Sequence, residues 1–502
     1  MAAEAVIVVD CGSTNITVFA VGPDGQSLAA CDEPNKPVPQ AGAPEAWRVW
    51  DLDELTTKVF RLCRECVAEV GSENVRALTI TTWGADGAPL TSEGELTYPP
   101  IAWECPRTEG TAERVSTEIG ARNLYNVTGY QVISFNTLFR LAWLRENEPE
   151  TLEKADRWMM MPGLLSYQFC EQMSVDVTDA STMMALDLQQ GGWSEELLSV
   201  ADLDSSFFPP LIYPGEVIGE VTDDAAEQCG IPAGTPVVAG GHDTQFALIG
   251  SGATPDEAVL SSGTWEILML RTSEFQPNEL GFVEGMQTEL DAKKGLFNPQ
   301  LLMMGSGVLE WVRENFYAGI EERNDAYNSM IEEARKIGPG SGQVMMVPSF
   351  VPDSGPTKKY NTEGTIVGLG LQTDRGHVYR ACLEGLTFQL RDALRIIKDA
   401  TRFEPSSIRV VGGGSRNALW NQIRADVCNL PVTVTAQKEA TVMGGAIVAW
   451  MGAGRFSTIS EGQDALTTES SMVEPSGERD VYDELFERYK KIPPALENFY
   501  TT

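Results

Sequence analysis

The sequence is poor in basic residues and in histidine. Its 502 residues include 37 Lys and Arg against 72 Asp and Glu, a formal net charge of -35, and only 2 His. A surface of this charge repels nucleic-acid phosphates and anionic lipid headgroups, so we expect no nucleic-acid partner and no membrane partner. Any phosphate that the protein handles must therefore be met by local backbone donors or by a metal ion.

Long apolar runs and a cysteine framework are also missing. No apolar stretch approaches the roughly 20 residues of a membrane span. The chain enters an apolar segment directly after Met-Ala-Ala-Glu, without the basic and hydrophobic regions of a secretion signal. The 9 cysteines are odd in number and scattered, which argues against a disulfide framework or a zinc site. These absences predict a cytoplasmic protein with reduced thiols.

A Walker A phosphate loop is excluded, because no Gly-Lys pair occurs in the chain. The hydrophobic share of 42% and the charged share of 22% are ordinary for a globular protein. The length is enough for two or three domains, each with its own core. If the protein binds a nucleotide, it must do so through other turns.

A catalytic acid is predicted near the middle of the chain. The stretch 237–248, Val-Val-Ala-Gly-Gly-His-Asp-Thr-Gln-Phe-Ala-Leu, predicts a strand, a glycine turn and the start of an amphipathic helix. This order presents the carboxylate of Asp243 at the mouth of a cleft. Taken alone, the pattern also fits a mere helix N-cap at Asp243, so the rest of the chain must decide between the two.

Three further turns of small residues follow predicted strands. Asp10-Cys-Gly-Ser-Thr-Asn and Ser261-Ser-Gly-Thr each lie between two strands, where N–H groups can surround an anion, although the first also fits an ordinary hairpin turn. At Gly412-Gly-Gly-Ser-Arg-Asn a strand meets three glycines and a helix that starts near Ser415 or Asn417, so ligand atoms can approach bare backbone. The two strand–turn–strand units, about half a chain apart, predict two similar lobes that face each other.

Aromatic and polar residues gather on loops of the first half. A predicted strand delivers Trp83 and Asp86 to the loop at its C-terminal end, where ligand groups of α/β sheets usually lie. Trp103 and Arg107 follow in a Pro-bounded loop, and Asn136 lies in the first turn of a predicted helix. Aromatic rings together with acid, amide and guanidinium groups suit a polyhydroxylated ligand. Each residue alone also fits a structural role, and only their clustering favours a sugar.

Together these motifs resemble the FGGY carbohydrate kinases of the sugar kinase–actin superfamily, nearly end to end through about residue 455. The family's first phosphate, base, second phosphate and adenosine motifs are similar to Asp10-Cys-Gly-Ser-Thr-Asn, Gly240-Gly-His-Asp-Thr-Gln, Ser261-Ser-Gly-Thr-Trp and Gly412-Gly-Gly-Ser-Arg-Asn. The resemblance implies an α/β fold of two ribonuclease H-like (actin-like ATPase) lobes with a deep interlobe cleft. The lobes would be an N-terminal one at 1–240 and a C-terminal one at 241–470, followed by a tail at 471–502 that we predict to be one helix.

The resemblance implies a role for each residue that matches a family motif. Asp243 matches the general base that takes the proton from the attacking hydroxyl, and Asp10 matches the acid that holds Mg²⁺. The residues that match sugar contacts are Asp86, Trp103, Asn136, His242 and Asp243. The residues that match contacts to the phosphates and adenosine of ATP are Gly12, Ser13, Thr14, Gly263, Thr264, Gly413, Gly414 and Asn417. Arg107 also fits a bracing role, and His377 is predicted to be structural.

Within the family, Thr82-Trp-Gly-Ala-Asp-Gly-Ala and Ala102-Trp-Glu-Cys-Pro-Arg-Thr are similar to motifs of bacterial L-fuculokinases. This similarity implies ATP-dependent phosphorylation of L-fuculose to L-fuculose 1-phosphate in L-fucose catabolism. The Trp-Gly-Ala-Asp form is also similar to L-rhamnulokinases, so L-rhamnulose or a pentulose is the alternative substrate. A non-catalytic, actin-like ATP-binding protein is the third interpretation, which the presence of both Asp10 and Asp243 disfavours. The sequence leaves the oligomeric state open, a homo-oligomer included.

Overall fold

The computed structural model describes residues 4–351, 360–436, 439–466 and 469–500. Up to the middle of the chain its elements are β1 Ala5–Cys11, β2 Asn15–Val21, β3 Ser27–Pro34, β4 Val38–Pro39, β5 Arg48–Val49, α1 Leu52–Val70, β6 Val75–Thr82, β7 Gly87–Leu90, α2 Glu109–Ile119, α3 Ala121–Thr128, α4 Thr137–Asn147, α5 Pro149–Lys154, β8 Arg157–Met160, α6 Met161–Cys170, β9 Val175–Asp176, α7 Val177–Thr182, β10 Leu186–Asp187, β11 Gly192–Trp193, α8 Glu195–Leu198, β12 Leu211–Ile212, β13 Val217–Glu220, α9 Asp223–Cys229 and β14 Pro236–His242. The later elements are α10 Asp243–Gly250, β15 Glu257–Ser262, β16 Trp265–Met269, α11 Glu279–Val283, β17 Gln287–Leu290, β18 Phe297–Met304, α12 Ser306–Phe316, α13 Arg323–Arg335, β19 Met345–Val347, β20 Thr365–Val367, α14 Arg375–Thr401, β21 Ser407–Val411, α15 Ala418–Cys428, β22 Val432–Thr435, α16 Ala440–Gly452, α17 Ile459–Leu466, β23 Ser470–Val473, α18 Arg479–Tyr489 and α19 Ile492–Tyr500.

The first large sheet is centred on β1 and has the strand order β13-β14-β6-β1-β2-β3. The strands β1, β6 and β14 are parallel, whereas β2 and β3 extend the sheet as antiparallel neighbours. Side chains of β1 alternate between two faces: Ile7 and Val9 pack in the core that includes α1, and Val6 and Val8 pack in the core that includes α16. Because both faces are covered, β1 is apolar throughout, as a buried parallel strand should be.

The second large sheet repeats this arrangement with the order β17-β18-β16-β15-β21-β22-β23. Its central β15 is antiparallel to β16 and parallel to β21, as β1 is to β2 and β6. β16 pairs antiparallel with β18, as β2 does with β3, and β21 pairs parallel with β22, as β6 does with β14. The five inner strands of the second sheet therefore correspond to β14, β6, β1, β2 and β3 of the first. The prediction of two similar α/β lobes is confirmed.

Two helices, α10 and α16, join the lobes. In sequence α16 lies between β22 and β23 of the second sheet, but it packs on the first sheet, and α10 packs against it. A Cβ atom on Gly250 would lie 1.8 Å from the carbonyl oxygen of Ala440, and one on Gly444 would lie 2.1 Å from that of Phe246. The two backbones therefore touch, which only glycine permits. The junction begins one turn from the predicted catalytic acid.

The prediction of a single helix beyond residue 470 is wrong. The segment forms β23, which pairs antiparallel with β22 at the edge of the second sheet, and then α18 and α19. Pro475 and Gly477 end the strand, and Pro493 and Pro494 start a new helix, because proline is tolerated only in a helix's first turn. None of the helices in the described part of the chain has the length and hydrophobicity that a bilayer crossing requires.

Candidate active site

The register of three parallel strands brings the predicted acids to one edge of the first sheet. Cys11 of β1 and His242 of β14 both pair with Thr82, the last residue of β6. Asp10 and Asp243 therefore lie at the carboxyl ends of strands that flank the same neighbour, although 232 positions separate them in sequence. This edge is where α/β sheets place their ligands.

A cavity of about 290 Å³ opens at this edge, between the two lobes. Four residues singled out in the sequence line it: Ser13, Trp83, Trp103 and His242. The sequence motifs did not predict other residues of its wall, which include Tyr130, Phe135, Thr182, Gln287, Gln300 and Leu302. The mixture of aromatic rings with hydroxyl and amide groups suits a small polyhydroxylated ligand.

The second lobe contributes part of this wall from β17 and β18. Gln287 and Gln300 are paired across these strands, and Leu302 follows on β18. The only signal in the sequence was the pair of amides, Asn298 and Gln300, at alternating positions of an otherwise apolar strand, where both are buried. The two amides indicate that one face of β18 is polar, but they do not indicate that this face borders a cavity.

Asp243 is the first residue of α10. The N-cap position belongs to His242, whose side chain makes no capping hydrogen bond, so the interpretation of Asp243 as a helix N-cap is wrong. The Asp243 side chain is 35% exposed, and its Oδ1 accepts from the Thr244 hydroxyl at 3.2 Å. This leaves carboxylate lone pairs available to a ligand hydroxyl, while the helix N-terminus favours the ionised form.

Burial and repulsion between neighbouring acids raise the pKa values of both Asp10 and Asp243. Burial, with the charges of Asp243 and Glu439, raises the pKa of Asp10 to about 7. Burial also raises the pKa of Asp243, an effect that the neighbouring His242 and the Thr244 hydroxyl oppose. Among the described residues, neither a side chain nor a backbone N–H donates a hydrogen bond to the Asp10 carboxylate. The site thus holds more negative charge than its own residues neutralise.

His242 is the cation nearest to Asp243. Its Nε2 lies 3.6 Å from Oδ1 of Asp243, and its Nδ1 lies 3.3 Å from Oε2 of the fully buried Glu289. Burial lowers the pKa of His242, but Glu289, Asp243 and Asp176 outweigh it and bring the value to about 9. His242 is therefore protonated at neutral pH and stabilises the charged form of Asp243.

Asp86 does not line the cavity but hydrogen-bonds residues that do. The side chain is fully buried, and its Oδ2 accepts from the indole N–H groups of Trp50 at 2.6 Å and Trp83 at 2.8 Å. The same oxygen accepts from the backbone N–H of Trp103 at 3.2 Å, and Oδ1 lies 2.7 Å from a guanidinium nitrogen of Arg140. In this conformation Asp86 positions two tryptophans of the cavity wall.

Asn136 is placed in the same way. It is fully buried as the N-cap residue of α4, which begins at Thr137, so it directly precedes the first turn in which the sequence placed it. Its Oδ1 accepts from the N–H of Ile133 at 3.0 Å, and its Nδ2 donates to the carbonyl of Thr182 at 2.9 Å. Since Ile133 and Thr182 line the cavity, Asn136 ties two wall segments together.

Arg107 and His377 have supporting positions outside the cavity. The Arg107 guanidinium lies 4.2 Å from the ring centre of Trp47 and donates to the Tyr98 hydroxyl at 3.0 Å. It braces the loop, which was one of the two roles that the sequence left open. His377 forms a capping box with Asp374 at the start of α14, so its predicted structural role is confirmed.

The two predicted phosphate turns leave hydroxyl groups at the cleft. The N–H of Gly12 donates to the carbonyl of Asn15 and closes the β1–β2 turn, where Ser13 is half-buried and Thr14 is exposed. In the β15–β16 turn, Ser306 fixes the carbonyl of Gly263 through its N–H and its hydroxyl, both at 2.8 Å. Thr264 stays exposed beside it.

The predicted adenosine turn is held against the second phosphate turn. Ser261 of β15 pairs with Val411 of β21, so the turns that follow these strands are adjacent. A Cβ atom on Gly414 would lie 2.0 Å from Oγ of Ser262, whereas one on Gly413 would meet no atom within 4 Å. Gly414 thus allows the close contact between turns, and Gly413 borders open space.

Asn417 begins the helix that follows this turn. It is the N-cap of α15, Ala418–Cys428, as predicted, and its Oδ1 accepts from the N–H of Trp420 at 3.1 Å. Its Nδ2 donates to the hydroxyl of Tyr379 at 2.9 Å, and the residue is 8% exposed. In this conformation both polar atoms of the side chain are hydrogen-bonded within the protein, so only the backbone of Asn417 borders the turn.

The acids at the site fit a magnesium ion that arrives with a nucleotide. Within the described residues, no group of three or more His, Cys, Asp or Glu side chains is arranged to hold a metal. Asp10 receives no hydrogen bond from the part of the chain that the structure describes and is repelled by Asp243 and Glu439, so its carboxylate is a hard oxygen ligand that a cation would stabilise. Mg²⁺ commonly takes one or two protein carboxylates and completes its shell with phosphate and water.

Comparison with known proteins agrees with this geometry. Residues 5–250 match the N-terminal domain and residues 258–453 the C-terminal domain of the FGGY family of carbohydrate kinases. The L-fuculokinase of Escherichia coli strain K12 is 38% identical over 485 residues, which cover 97% of this chain and 100% of that protein.

Solved structures show the same fold. The xylulose kinase of Rhodospirillum rubrum aligns with a TM-score of 0.88 and 22% identity, covering 99% of this chain and 100% of that one. The glycerol kinase of Plasmodium falciparum, solved with ADP, aligns with a TM-score of 0.85 and 19% identity, covering 97% of each chain. The predicted fold of two ribonuclease H-like lobes is thereby confirmed, and the chain belongs to the FGGY family of carbohydrate kinases.

Proposed function

We propose that this kinase phosphorylates the terminal hydroxyl of L-fuculose, giving L-fuculose 1-phosphate from ATP with Mg²⁺. The observation that carries the proposal is the 38% identity to an L-fuculokinase over 97% of the chain. At 97% coverage the aligned length includes most of the first-half loops that carry the predicted sugar contacts. The product would enter L-fucose catabolism.

The ketose would occupy the cavity at the strand ends. The indole of Trp103 is 39% exposed, and with Trp83 it offers an aromatic surface to the C–H face of a sugar. His242 and the amide of Gln300 offer donors to its hydroxyl groups. Asp86 and Asn136, which we first expected to touch the sugar, would instead hold the wall that does.

Asp243 would act as the general base. An acid that is 35% exposed beside the cavity can accept the proton of the attacking hydroxyl, and the adjacent imidazolium of His242 keeps the acid ionised before the reaction. Phosphoryl transfer depends mainly on positioning and charge stabilisation, so a carboxylate of ordinary reactivity is sufficient.

ATP would lie along the turns of both lobes. Gly12, Ser13 and Thr14 on one side and Gly263 and Thr264 on the other would bind its phosphates through N–H and hydroxyl groups. Gly413, Gly414 and Asn417 would border the adenosine. Asp10 would hold the Mg²⁺, which when bound supplies the positive charge that this acidic protein lacks around the phosphates.

The two lobes would divide these tasks. We assign residues 1–240 to an N-terminal lobe with the sugar loops and the first phosphate turn, and residues 241–470 to a C-terminal lobe with the second phosphate and adenosine turns. The cavity wall from β17 and β18 extends the sugar site into the C-terminal lobe. Closure of the lobes would exclude water from the phosphoryl group and limit ATP hydrolysis.

The second candidate is a kinase for another ketose, L-rhamnulose or a pentulose. The observation that favours it is the Trp-Gly-Ala-Asp loop, Trp83 to Asp86, which is similar in sequence to that of L-rhamnulokinases. Since Asp86 is buried, the loop's shape rather than its carboxylate would select the sugar in either case.

A panel of ketoses decides between the candidates. ADP release is followed with L-fuculose, L-rhamnulose, L-ribulose and D-xylulose at saturating Mg-ATP, and kcat/KM is compared. We expect L-fuculose to give the highest value. A higher kcat/KM with one of the other ketoses would replace L-fuculose by that sugar, and ADP release without any dependence on ketose would contradict both candidates.

A further inference from the structure

Glu289 lies behind the cavity wall: it hydrogen-bonds residues that line the cavity but does not line it itself. It is the third residue of β17, the edge strand of the second sheet, and it is fully buried. The family motifs do not include it. Burying a carboxylate costs folding free energy unless hydrogen bonds and an opposite charge compensate it.

Four side chains converge on this one carboxylate. Oε1 accepts from the amide of Gln300 at 2.6 Å and from the hydroxyl of Tyr130 at 3.2 Å. Oε2 accepts from the amide of Gln245 at 2.8 Å and lies 3.3 Å from Nδ1 of His242. Each oxygen thus uses both of its lone pairs, and the carboxylate is fully satisfied.

The four donors come from separate parts of the fold. Tyr130 follows α3 in the first half of the chain, His242 and Gln245 lie at the junction between the lobes, and Gln300 belongs to β18 of the second sheet. Three of them, Tyr130, His242 and Gln300, line the cavity, whereas Gln245 does not. One buried acceptor therefore sets the relative positions of three wall residues from different elements.

Glu289 also fixes the orientation of the His242 ring. An ionised carboxylate only accepts hydrogen bonds, so Nδ1 of His242 must carry a proton, and Nε2 is left on the side of Asp243, 3.6 Å from its Oδ1. The charges that surround the ring are Glu289, Asp243 and Asp176, and together they keep it cationic. Without Glu289 the ring has neither a fixed direction nor its closest counter-charge.

We propose that Glu289 is a positioning residue for the ketose: through its four hydrogen bonds it holds Tyr130, Gln300 and His242 in the geometry that binds the sugar. This inference rests on the proposed function insofar as the cavity is taken as the sugar site. It does not depend on which ketose is the substrate.

Replacement by glutamine separates this role from simple packing. In Glu289→Gln the shape is kept, but one acceptor oxygen becomes an NH₂ group that faces two donors, so two of the four hydrogen bonds are lost. We expect KM for the best ketose to rise about tenfold or more, the effect of losing one hydrogen bond to a charged group. KM for ATP should change less than about twofold, since the ATP turns do not contact Glu289.

The matched control is Glu257→Gln. Glu257 is also buried in the second lobe and accepts from Ser407 and Arg409, far from the cavity. We expect this variant to lower Tm as much as Glu289→Gln does while leaving both KM values unchanged. Glu289→Asp keeps all acceptor atoms on a shorter side chain, so it should restore part of the ketose affinity.

A second variant keeps the test valid if Glu289→Gln does not fold. Gln245→Met removes one donor to Glu289, and with it a hydrogen bond to Asn298, without altering a residue of the cavity wall. Asn298→Ala, which removes only the second of these bonds, is the control, so a rise in ketose KM that is found in Gln245→Met and not in Asn298→Ala acts through Glu289. All variants are compared on the carbohydrate that the wild type phosphorylates best. Another preferred ketose would therefore overturn the substrate assignment but not this inference.

The expected pattern is a ketose-specific loss in Glu289→Gln and a smaller one in Gln245→Met, with recovery in Glu289→Asp. An unchanged ketose KM in folded Glu289→Gln, or equal increases in the KM values for ketose and ATP, would overturn the inference. If Glu289→Gln is insoluble, an unchanged ketose KM in Gln245→Met would overturn it instead.

Discussion

Asp10 is the second-last residue of β1 and Asp243 directly follows β14, and these two strands flank β6 on opposite sides. Burial, together with the charges of Asp243 and Glu439, raises the pKa of Asp10 to about 7. The two acids are thus brought together before any cation is bound. Such an arrangement costs stability in the free protein, and it suits the metal–nucleotide complex that we propose for this site.

The base assignment predicts a selective loss of turnover. Asp243→Asn keeps the shape of the side chain but cannot accept the proton, so we expect kcat to fall about 100- to 10,000-fold. Ketose and ATP dissociation constants, measured by calorimetry, should change little. The exposed Asp224→Asn in α9 is the matched control and should retain wild-type kcat. A kcat for Asp243→Asn within a factor of about three of the wild type would contradict the assignment.

Asp10 predicts a dependence of stability on pH in the ligand-free protein. The folded state binds the Asp10 proton more tightly than the unfolded chain, because its pKa is about 7 against an ordinary value of 3.8. Its contribution is therefore fully present below pH 3.8 and is lost as pH rises through about 7. Asp10→Asn removes this loss, so its Tm should exceed that of the wild type more at pH 8 than at pH 5.

The same variant should lose magnesium affinity. Asp10→Asn replaces a hard anionic ligand by a neutral amide, and we expect the Mg²⁺ concentration for half-maximal rate to rise about tenfold or more while KM for the ketose stays constant. Asp32→Asn, on the exposed part of β3, serves as the control. A Tm difference independent of pH, together with an unchanged Mg²⁺ requirement, would refute the role given to Asp10.

The close contact of the two nucleotide turns predicts a defect specific to ATP. In Gly414→Ala the added methyl group would lie 2.0 Å from Oγ of Ser262, so the turns must move apart. We expect KM for ATP to rise about tenfold or more, with little change in KM for the ketose. Gly110→Ala, where a Cβ meets no atom within 4 Å in the exposed face of α2, should leave both values unchanged. Equal changes in both KM values would show that the turn has another role.

A buried ion pair beneath these turns predicts a large loss of stability. Arg424 and Glu266 are fully buried, paired with each other and hydrogen-bonded to the Ser262 hydroxyl. Arg424→Met leaves Glu266 without its cation, and we expect the free energy of unfolding to fall by about 3–5 kcal/mol in urea denaturation. The double variant with Glu266→Leu should regain much of the loss.

The matched surface control for this pair is Arg395→Met. Arg395 is partly exposed on α14 and pairs with Asp392 and Asp399. Exposed pairs contribute at most about 1 kcal/mol, so this variant should remain close to the wild type. If Arg424→Met were no less stable than Arg395→Met, the buried pair would not be what holds the turns.

Much of the fold was determined by local sequence. The run Ala5 to Val9 is apolar at every position because β1 is covered on both faces. The turns after β1, β15 and β21 are encoded by glycine and small hydroxyl residues, and at Gly12, Gly412 and Gly414 a Cβ atom would lie less than 3.0 Å from a neighbouring atom. These are short-range constraints, so each can be recognised without its partners. The two strand–turn–strand units, about half a chain apart, were enough to predict two similar lobes.

Local sequence failed where a neighbour decides what a residue does. The tail beyond residue 470 supplies β23 because β22 offers it an open edge. The sequence predicts that Asp86 and Asn136 contact the sugar, but it gives no sign of the tryptophan N–H groups and loop backbone from elsewhere in the chain that donate to their side-chain oxygens in the structure. A polar side chain in a loop indicates that a hydrogen bond will be made, but the sequence does not identify the residue or ligand that makes it.

The sequence by itself thus determined the two lobes, the turns at their strand ends and the presence of Asp10 and Asp243. Only the tertiary structure decided that Cys11 and His242 pair with the same residue of β6, and that Glu289 gathers Tyr130, Gln245 and Gln300 with His242. The physical reason is distance along the chain. Backbone turns are encoded within a few residues, whereas the donors to Glu289 lie between 11 and 159 positions away and meet it only after the chain has packed.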